Sequence, residues 1–426
     1  MDYSIPKGTF DILPFEIEEE DKWKESSRWQ YVESVMRKTA SDYGFKEIRT
    51  PLFERTELFV RGVGDSSDIV TKEMYTFIDR GERSMTLRPE GTAPVMRSFL
   101  EHKLYAQPGL HKFFYIGPMF RYERPQAGRF RQHHQFGAEA IGMGTAAQDV
   151  ELIDLVCELY RRLGLKNLHV QINSVGDVTS REAYKEALSA FLTPVFSKLS
   201  AESQVRFHKN RLRILDSKDP RDQELLRGAP LFGNYLTPET KAHFDAVLKG
   251  LDALQIPYTV NPQLVRGLDY YTKTVFEVTA QVLGAQNSIG GGGRYDGLTE
   301  SFGGPHFPSI GFGTGIERIL QTMLKQNVAF PLPSPPQIFF IPIGDTALKK
   351  SFDLVSQLRH KGVSAEIDLS GKKIQSGLQL AHHLNATYAV VMGDQELQTG
   401  IVQLKTMATR EAVDCPLNSL VTLLGG

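Results

Sequence analysis

The sequence predicts an α+β core with a mixed, mainly antiparallel sheet and a helical insertion, followed by a small α/β domain. Three observations carry this expectation. The stretch NVAFPLPSPPQ holds Pro331, Pro333, Pro335 and Pro336, which exclude regular structure and stiffen the chain into a linker. After it, strand-like and helix-like segments alternate. Before it, strand candidates recur without the strand-helix alternation of a doubly wound fold. The expected boundaries are a core over 1–325 with an insertion at about 174–254, a linker over 326–336 and a terminal domain over 337–426.

Each element has its own signal. Trp29, Val32, Val35, Met36 and Tyr43 line one face of a helix ending near Gly44. KEIRT reads as a strand stopped by Pro51, and KFFYIGPMFRYE, RFRQHHQFGAEAI, LHVQIN and TKTVFEVTA read as further strands. From Ser174 to about Leu254 the pattern turns helical and charge-rich, as in SREAYKEALSAFLTPVFSKL, an insertion between two strands of one sheet. In the terminal domain IFFIPIG is a buried strand, TALKKSFDLVSQLRHKG a helix, and VSAEID and YAVVMG further strands.

Composition narrows the function. A chain of 426 residues exceeds one ordinary core, and 41% hydrophobic with 23% charged residues is a globular profile. With 49 basic and 50 acidic side chains, no global field favours nucleic acid or a membrane surface, so any polyanion site must be local. Cys157 and Cys415 are far apart, which argues against disulfide scaffolds and thiolate zinc sites. No signal pattern opens the chain and no apolar run approaches a membrane span, so a cytoplasmic, non-membrane protein is expected.

Polar chemistry is concentrated in FRYERPQAGRFRQHHQFGAE, Phe120 to Glu139. Arg124 to Gly128 is turn material between two alternating runs, which predicts a hairpin. Arg129, Arg131, His133, Gln135 and Glu139 fall on one face of its second strand, and Phe130, His134, Phe136 and Ala138 on the other. A metal fits poorly, because His133 and His134 diverge and no thiolate or HExxH helix completes a ligand set. A solvated edge hairpin with surface ion pairs fits the pattern alone equally well. Other stretches shift the balance toward a ligand site. TLRPEGTAPVMR sets Arg88 and Glu90 beside a Pro-Gly loop; LVRGLDYYTKTVFEV leads Arg266, Tyr270 and Tyr271 into a strand. IGGGGRYDGL permits close backbone approach, or simply a bend, and GFGTGIERIL carries Glu317 and Arg318 into a helix, where they could be a surface pair. Neither GxxxxGK[ST] nor a strand-linked GxGxxG occurs, so a bound nucleotide must be held by arginines on the sheet.

Taken together, these stretches resemble the class II aminoacyl-tRNA synthetases, most closely the bacterial histidyl-tRNA synthetase family. FKEIRTPLFERTELF resembles motif 1, the dimer-interface element; the hairpin resembles motif 2 and GFGTGIERIL motif 3. LVRGLDYYT and GGGGRYDGL resemble the two peptides that mark the histidine enzymes, and PKGTFDILP also fits. The likeness spans core, insertion and an anticodon-binding α/β domain. His133 departs from it, since an aromatic residue is commoner there.

The resemblance implies a histidine–tRNA ligase using ATP with Mg2+ and no zinc, with L-histidine, ATP and tRNA-His as partners and a homodimer as assembly. It implies Arg121 at the α-phosphate, Glu123 at the adenine amino group and Arg318 at the distal phosphates. Arg266 would neutralise charge between substrate carboxylate and α-phosphate; Arg121 and Arg266 are the expected catalytic pair. Glu90, Thr92 and Gln135 would take the α-ammonium. Glu139 and Tyr271 would take the imidazole, with Tyr270 and Tyr295 shaping the slot. Arg124, Gln126 and Arg129 would meet the tRNA acceptor end. The terminal domain carries eight basic and eight acidic side chains, so RNA recognition there must use local groups. Two alternatives share the core. The regulatory subunit of ATP phosphoribosyltransferase is a binding module that normally lacks the terminal domain. Threonyl and prolyl synthetases lack the two histidine-specific peptides.

Overall fold

The computed structural model describes every residue except 1–2, 15–16, 65–66, 124–127, 218, 267, 269, 284–286, 332–333, 372, 426 and the side chain of Asp216. The chain forms two compact units, Met1–Phe330 and Pro331–Gly426. In the first, the strands in chain order are β1 Lys46–Glu47, β2 Phe53–Arg55, β3 Tyr75–Ile78, β4 Ser84–Leu87, β5 His111–Phe120 and β6 Gln132–Ile141. They continue with β7 Leu168–Ser174, β8 Tyr258–Val260, β9 Thr272–Ala280, β10 Ser288–Arg294 and β11 Ser309–Gly315. The main sheet runs β1-β5-β6-β11-β10-β9-β7-β8, and β2-β4-β3 form a small separate sheet. Only the outermost pairs, β1 with β5 and β7 with β8, are parallel; every inner pair is antiparallel.

The two faces of this sheet differ because its strands alternate. Phe136, Ala138, Phe276, Val278 and Phe312 enter one hydrophobic core with helix residues Val32, Met36, Leu152, Leu159 and Ile319. Each such large side chain contributes about 1.5–3 kcal/mol by leaving water. The opposite face presents the intervening residues, among them Gln135, Glu139 and Glu277, and it holds the site.

The hairpin differs from expectation at its open end. Strand β5 stops at Phe120 and β6 starts at Gln132, so Arg121, Glu123, Arg129 and Arg131 stand beyond the ladder. Arg121 N still donates to Arg131 O at 2.9 Å, but Arg131 then stacks on the Tyr122 ring and Arg129 pairs with Glu123, which turns the chain out of the sheet. KEIRT is shorter than expected, because pairing continues only through the Ile48 N bond to Phe114 O and Pro51 lacks a donor. The glycine run is no bend. Gly290 to Gly293 lie within β10, hydrogen-bonded to β9 and β11 on either side.

Between β7 and β8 lie the helices Val178–Leu192, Ala201–Lys209, Pro220–Leu226 and Pro238–Ala253. Their starts are set by side-chain caps from Asp177, Ser200, Asp219 and Thr237 to the first-turn amides. The first three share a core around Tyr184, Leu188, Leu226 and Phe232. The fourth places Val247 and Leu251 in the core beneath the sheet instead.

In the second unit β12 Ile338–Pro342, β13 Ala365–Ile367, β14 Tyr388–Met392, β15 Ile401–Thr406 and β16 Ala412–Pro416 run in the order β13-β12-β14-β15-β16. The first three are parallel and the last two antiparallel, so the α/β unit has a mixed sheet. The interior strand β12 is buried along its whole length, as a strand covered on both faces must be.

Candidate active site

The sheet's polar face floors a cavity of about 900 Å3 whose lining includes Arg121, Glu123, Arg129, Gln135, Arg266 and Arg318. Arg121 arrives from the end of β5, Arg129 from the segment before β6, Arg266 from the loop before β9 and Arg318 from the helix Ile316–Lys325 that follows β11. Arg121 Nε donates to Pro89 O at 2.8 Å, which fixes its stem and leaves its fork toward the cavity. Arg318 Nη1 donates to Ser288 O at 2.9 Å on the neighbouring strand β10. Arg266 Nη1 lies 3.6 Å from Glu277 Oε1. Glu123 is held by Arg129 at 3.0 Å.

The floor is bare backbone where polar side chains cross it. Gly313 lies under Gln135 and Gly311 under Glu139, and a Cβ on either glycine would overlap those groups. Gln135 Oε1 is buried without a hydrogen-bond partner among the described residues. His133 also lines the cavity. Burial, then the Arg121 charge beside it, push its imidazole down to about 3, so the ring is neutral at physiological pH.

Deeper in the sheet, Glu139 is fully buried and accepts from Thr92 Oγ1 at 2.8 Å, Tyr115 OH at 3.3 Å and Tyr295 OH. Glu90 accepts from the amides of Thr92 at 2.6 Å and Ala93 at 2.8 Å, capping the helix Thr92–Glu101. Both carboxyls lie above their ordinary range, chiefly through burial. The Tyr270 ring sits 4.7 Å from Tyr271 and 5.4 Å from Tyr295. Of the expected residues, Arg121, Glu123, Gln135, Arg266 and Arg318 line the cavity, while Glu90, Thr92, Glu139, Tyr270, Tyr271 and Tyr295 form a separate buried cluster. Of the hairpin tip, Arg129 is at the cavity, while Arg124 and Gln126 lie outside the described residues.

Several contributors carried no motif. Glu277 faces the cavity because its neighbours Phe276 and Val278 face the core, a period-2 signal present in TKTVFEVTA. Glu317 is not a surface group. It is 2% exposed and accepts from His134 N at 2.7 Å. Gln223 and Arg227, from the helical insertion, reach the same cavity, and only folding could reveal that.

The buried Glu139 gives a pH prediction. Its folded value of about 8 exceeds the ordinary 4.5. The native state therefore keeps a proton that the unfolded chain releases, and this group's stabilising contribution is complete below about pH 4.5 and lost as pH rises to 8. Glu139→Gln should flatten that descent. Denaturant midpoints at pH 5, 6.5 and 8 check it, and parallel curves for variant and parent would refute it.

Guanidinium groups spread over an antiparallel sheet, with no glycine–lysine phosphate loop in the sequence, are what the resemblance to class II aminoacyl-tRNA synthetases implies. The histidyl-tRNA synthetase family model matches residues 19–319 and an anticodon binding domain model matches 337–425. A histidine–tRNA ligase of Protochlamydia amoebophila is 55% identical over 424 residues, covering 100% of both chains. One from a Geobacillus species is 48% identical, covering 100% of this chain and 99% of its own. The crystal structure of apo S. aureus histidyl-tRNA synthetase matches with a TM-score of 0.84 at 38% identity, covering 100% of both chains. The chain belongs to the histidyl-tRNA synthetase family. It is a histidine–tRNA ligase, which activates L-histidine with ATP to histidyl-adenylate and transfers the histidyl group to the 3′ end of tRNA-His.

Proposed function

We propose that this cavity binds ATP and histidine side by side, with the roles divided among its residues. Arg121 takes the α-phosphate, Arg318 the distal phosphates and Glu123 the adenine amino group. The histidine carboxylate attacks the α-phosphorus in line; a carboxylate O–P bond forms as the bond to pyrophosphate breaks. Arg266 stands between the two reactants and stabilises the charge that builds on the α-phosphoryl oxygens. The observation that supports this most is the convergence of Arg121, Arg266 and Arg318 on one cavity.

Glu90, Thr92 and Gln135 receive the α-ammonium, and the unpaired Gln135 Oε1 supplies an acceptor. Glu139 and Tyr271 select the imidazole, whose one donor and one acceptor nitrogen match a carboxyl and a hydroxyl; an apolar side chain would leave both unpaired. Tyr270 and Tyr295 wall this slot. Arg129, with Arg124 and Gln126, meets the acceptor end of the tRNA. Magnesium would come with ATP as part of the substrate and would screen the charge of its phosphates. No group of three His, Cys, Asp or Glu side chains that could hold a metal ion occurs among the described residues.

Two further assignments belong to this reading. The chain works as a homodimer; the sheet β2-β4-β3 exposes Phe53, Phe77 and Ile78, an apolar patch of the kind a second copy covers. It works in the cytoplasm; among the described residues no helix is long and apolar enough to cross a membrane.

Glu139→Ala tests the slot. It should raise the KM for histidine about 10- to 100-fold in pyrophosphate exchange and leave the KM for ATP within about twofold. Equal effects on both substrates would remove Glu139 from the imidazole.

A further inference from the structure

We propose that Glu277 is a positioning residue that holds the Arg266 guanidinium over the sheet before substrates arrive. The inference rests on the reading of Arg266 as the charge-stabilising group.

Arg266 stands on the connection between β8 and β9, outside any ladder, and a long side chain from a loop needs a fixed partner to act at one place. Glu277 supplies one from inside the sheet. It stands near the middle of β9, between β10 and β7, and its register partners are Gly291 on one side and Gln171 on the other. Gly291 has no side chain, and a Cβ there would come within 3.0 Å of Arg266 Cζ and 2.8 Å of Phe276 O. The guanidinium therefore occupies the space above Gly291, directly beside Glu277. Gln171 Oε1 accepts from Asn261 Nδ2 at 2.7 Å, so that neighbour already has its own partner.

The spacing of the pair suits guiding better than capture. At 3.6 Å the two charges attract, yet the separation is longer than a hydrogen bond and consumes no donor. Arg266 Nε is buried with no hydrogen-bond partner among the described residues, so donor capacity remains for an incoming anion. Both side chains are 23% exposed, which keeps the pair within reach of the cavity. A tight bidentate pair would have to be broken before a phosphoryl oxygen could enter.

The test is histidine-dependent pyrophosphate exchange by the full chain. Glu277→Gln keeps the shape and removes the charge. It should lower kcat about 10- to 100-fold, the range for supporting groups around a reactive centre, with both KM values within about twofold. Glu277→Asp, which keeps the charge at shorter reach, should retain more kcat than Glu277→Gln. In an Arg266→Lys background Glu277→Gln should cost less than about twofold further, because the group it places is gone. Near-normal kcat in Glu277→Gln, multiplying penalties in the double variant, or Glu277→Asp falling below Glu277→Gln would each overturn the proposal. A higher KM for ATP with a shifted magnesium optimum would overturn it too, since that assigns the carboxylate to a cation. Near-normal exchange by Arg266→Lys alone, with a clear loss in Glu277→Gln, would strike the Arg266 reading and this one together; loss in Arg266→Lys without loss in Glu277→Gln strikes only this one.

Discussion

Arg266→Ala should abolish histidine-dependent pyrophosphate exchange, a loss of about 10³-fold or more, while the thermal unfolding midpoint stays within a few degrees of the parent. Two features make the expected loss large. The guanidinium lines the same cavity as Arg121 and Arg318, and on the proposed assignment negative charge grows beside it as the α-phosphorus becomes five-coordinate. Its substitution also leaves the hydrophobic cores intact, since Arg266 belongs to none of them. Both kcat and kcat/KM should fall together, the mark of an interaction made in the transition state. Exchange within tenfold of the parent would remove the assigned role.

Asp149→Asn should have the largest effect on stability, about 3–5 kcal/mol, read from urea denaturation. Asp149 and Arg294 are both 0% exposed and joined at 2.7 Å. The same carboxylate accepts from Thr274 Oγ1 at 2.6 Å and lies 2.8 Å from His243 Nε2. It therefore ties together strands β9 and β10, the helix Ala146–Arg162 and the insertion's last helix. An amide would leave Arg294 with Asp296 and two carbonyls, and would turn its own NH2 toward donors. A loss below about 1 kcal/mol would show that those remaining partners suffice. Because Arg294 precedes Tyr295 on the chain, histidine affinity should fall with stability in this variant.

The legible part of this molecule was its periodicity. Gln135 and Glu139 were assigned to one face, and Phe136 and Ala138 to the other, because a strand alternates whatever its surroundings. The same rule covered Glu277, but nothing beside it in sequence marked it as more than one polar residue on a strand. Local patterns failed where chemistry is set by distant partners. Asp149 and Arg294 are 145 positions apart, and neither sequence neighbourhood hints that each is the other's counter-charge. Glu317, open to reading as a surface pair with Arg318, is instead buried against His134 by the way a helix leaves β11. The glycine run was ambiguous for a physical reason: glycine serves a bend and a close approach equally well. Its neighbours decide, because Tyr160, Arg266, Tyr271 and the backbone of β9 and β11 lie where its own side chains would be.

That floor bears on how the gene can change. A single-base change in a glycine codon that yields another amino acid always brings in a residue with a Cβ, and at 311 or 313 that atom lands on Glu139 or Gln135. A change at either codon therefore displaces the crossing side chain from its place over the floor. Variation is far easier on the cavity's other wall, where Gln223 and Arg227 stand on an insertion with a core of its own. Lineages should diverge along the insertion's wall of the cavity well before they diverge along its glycine floor.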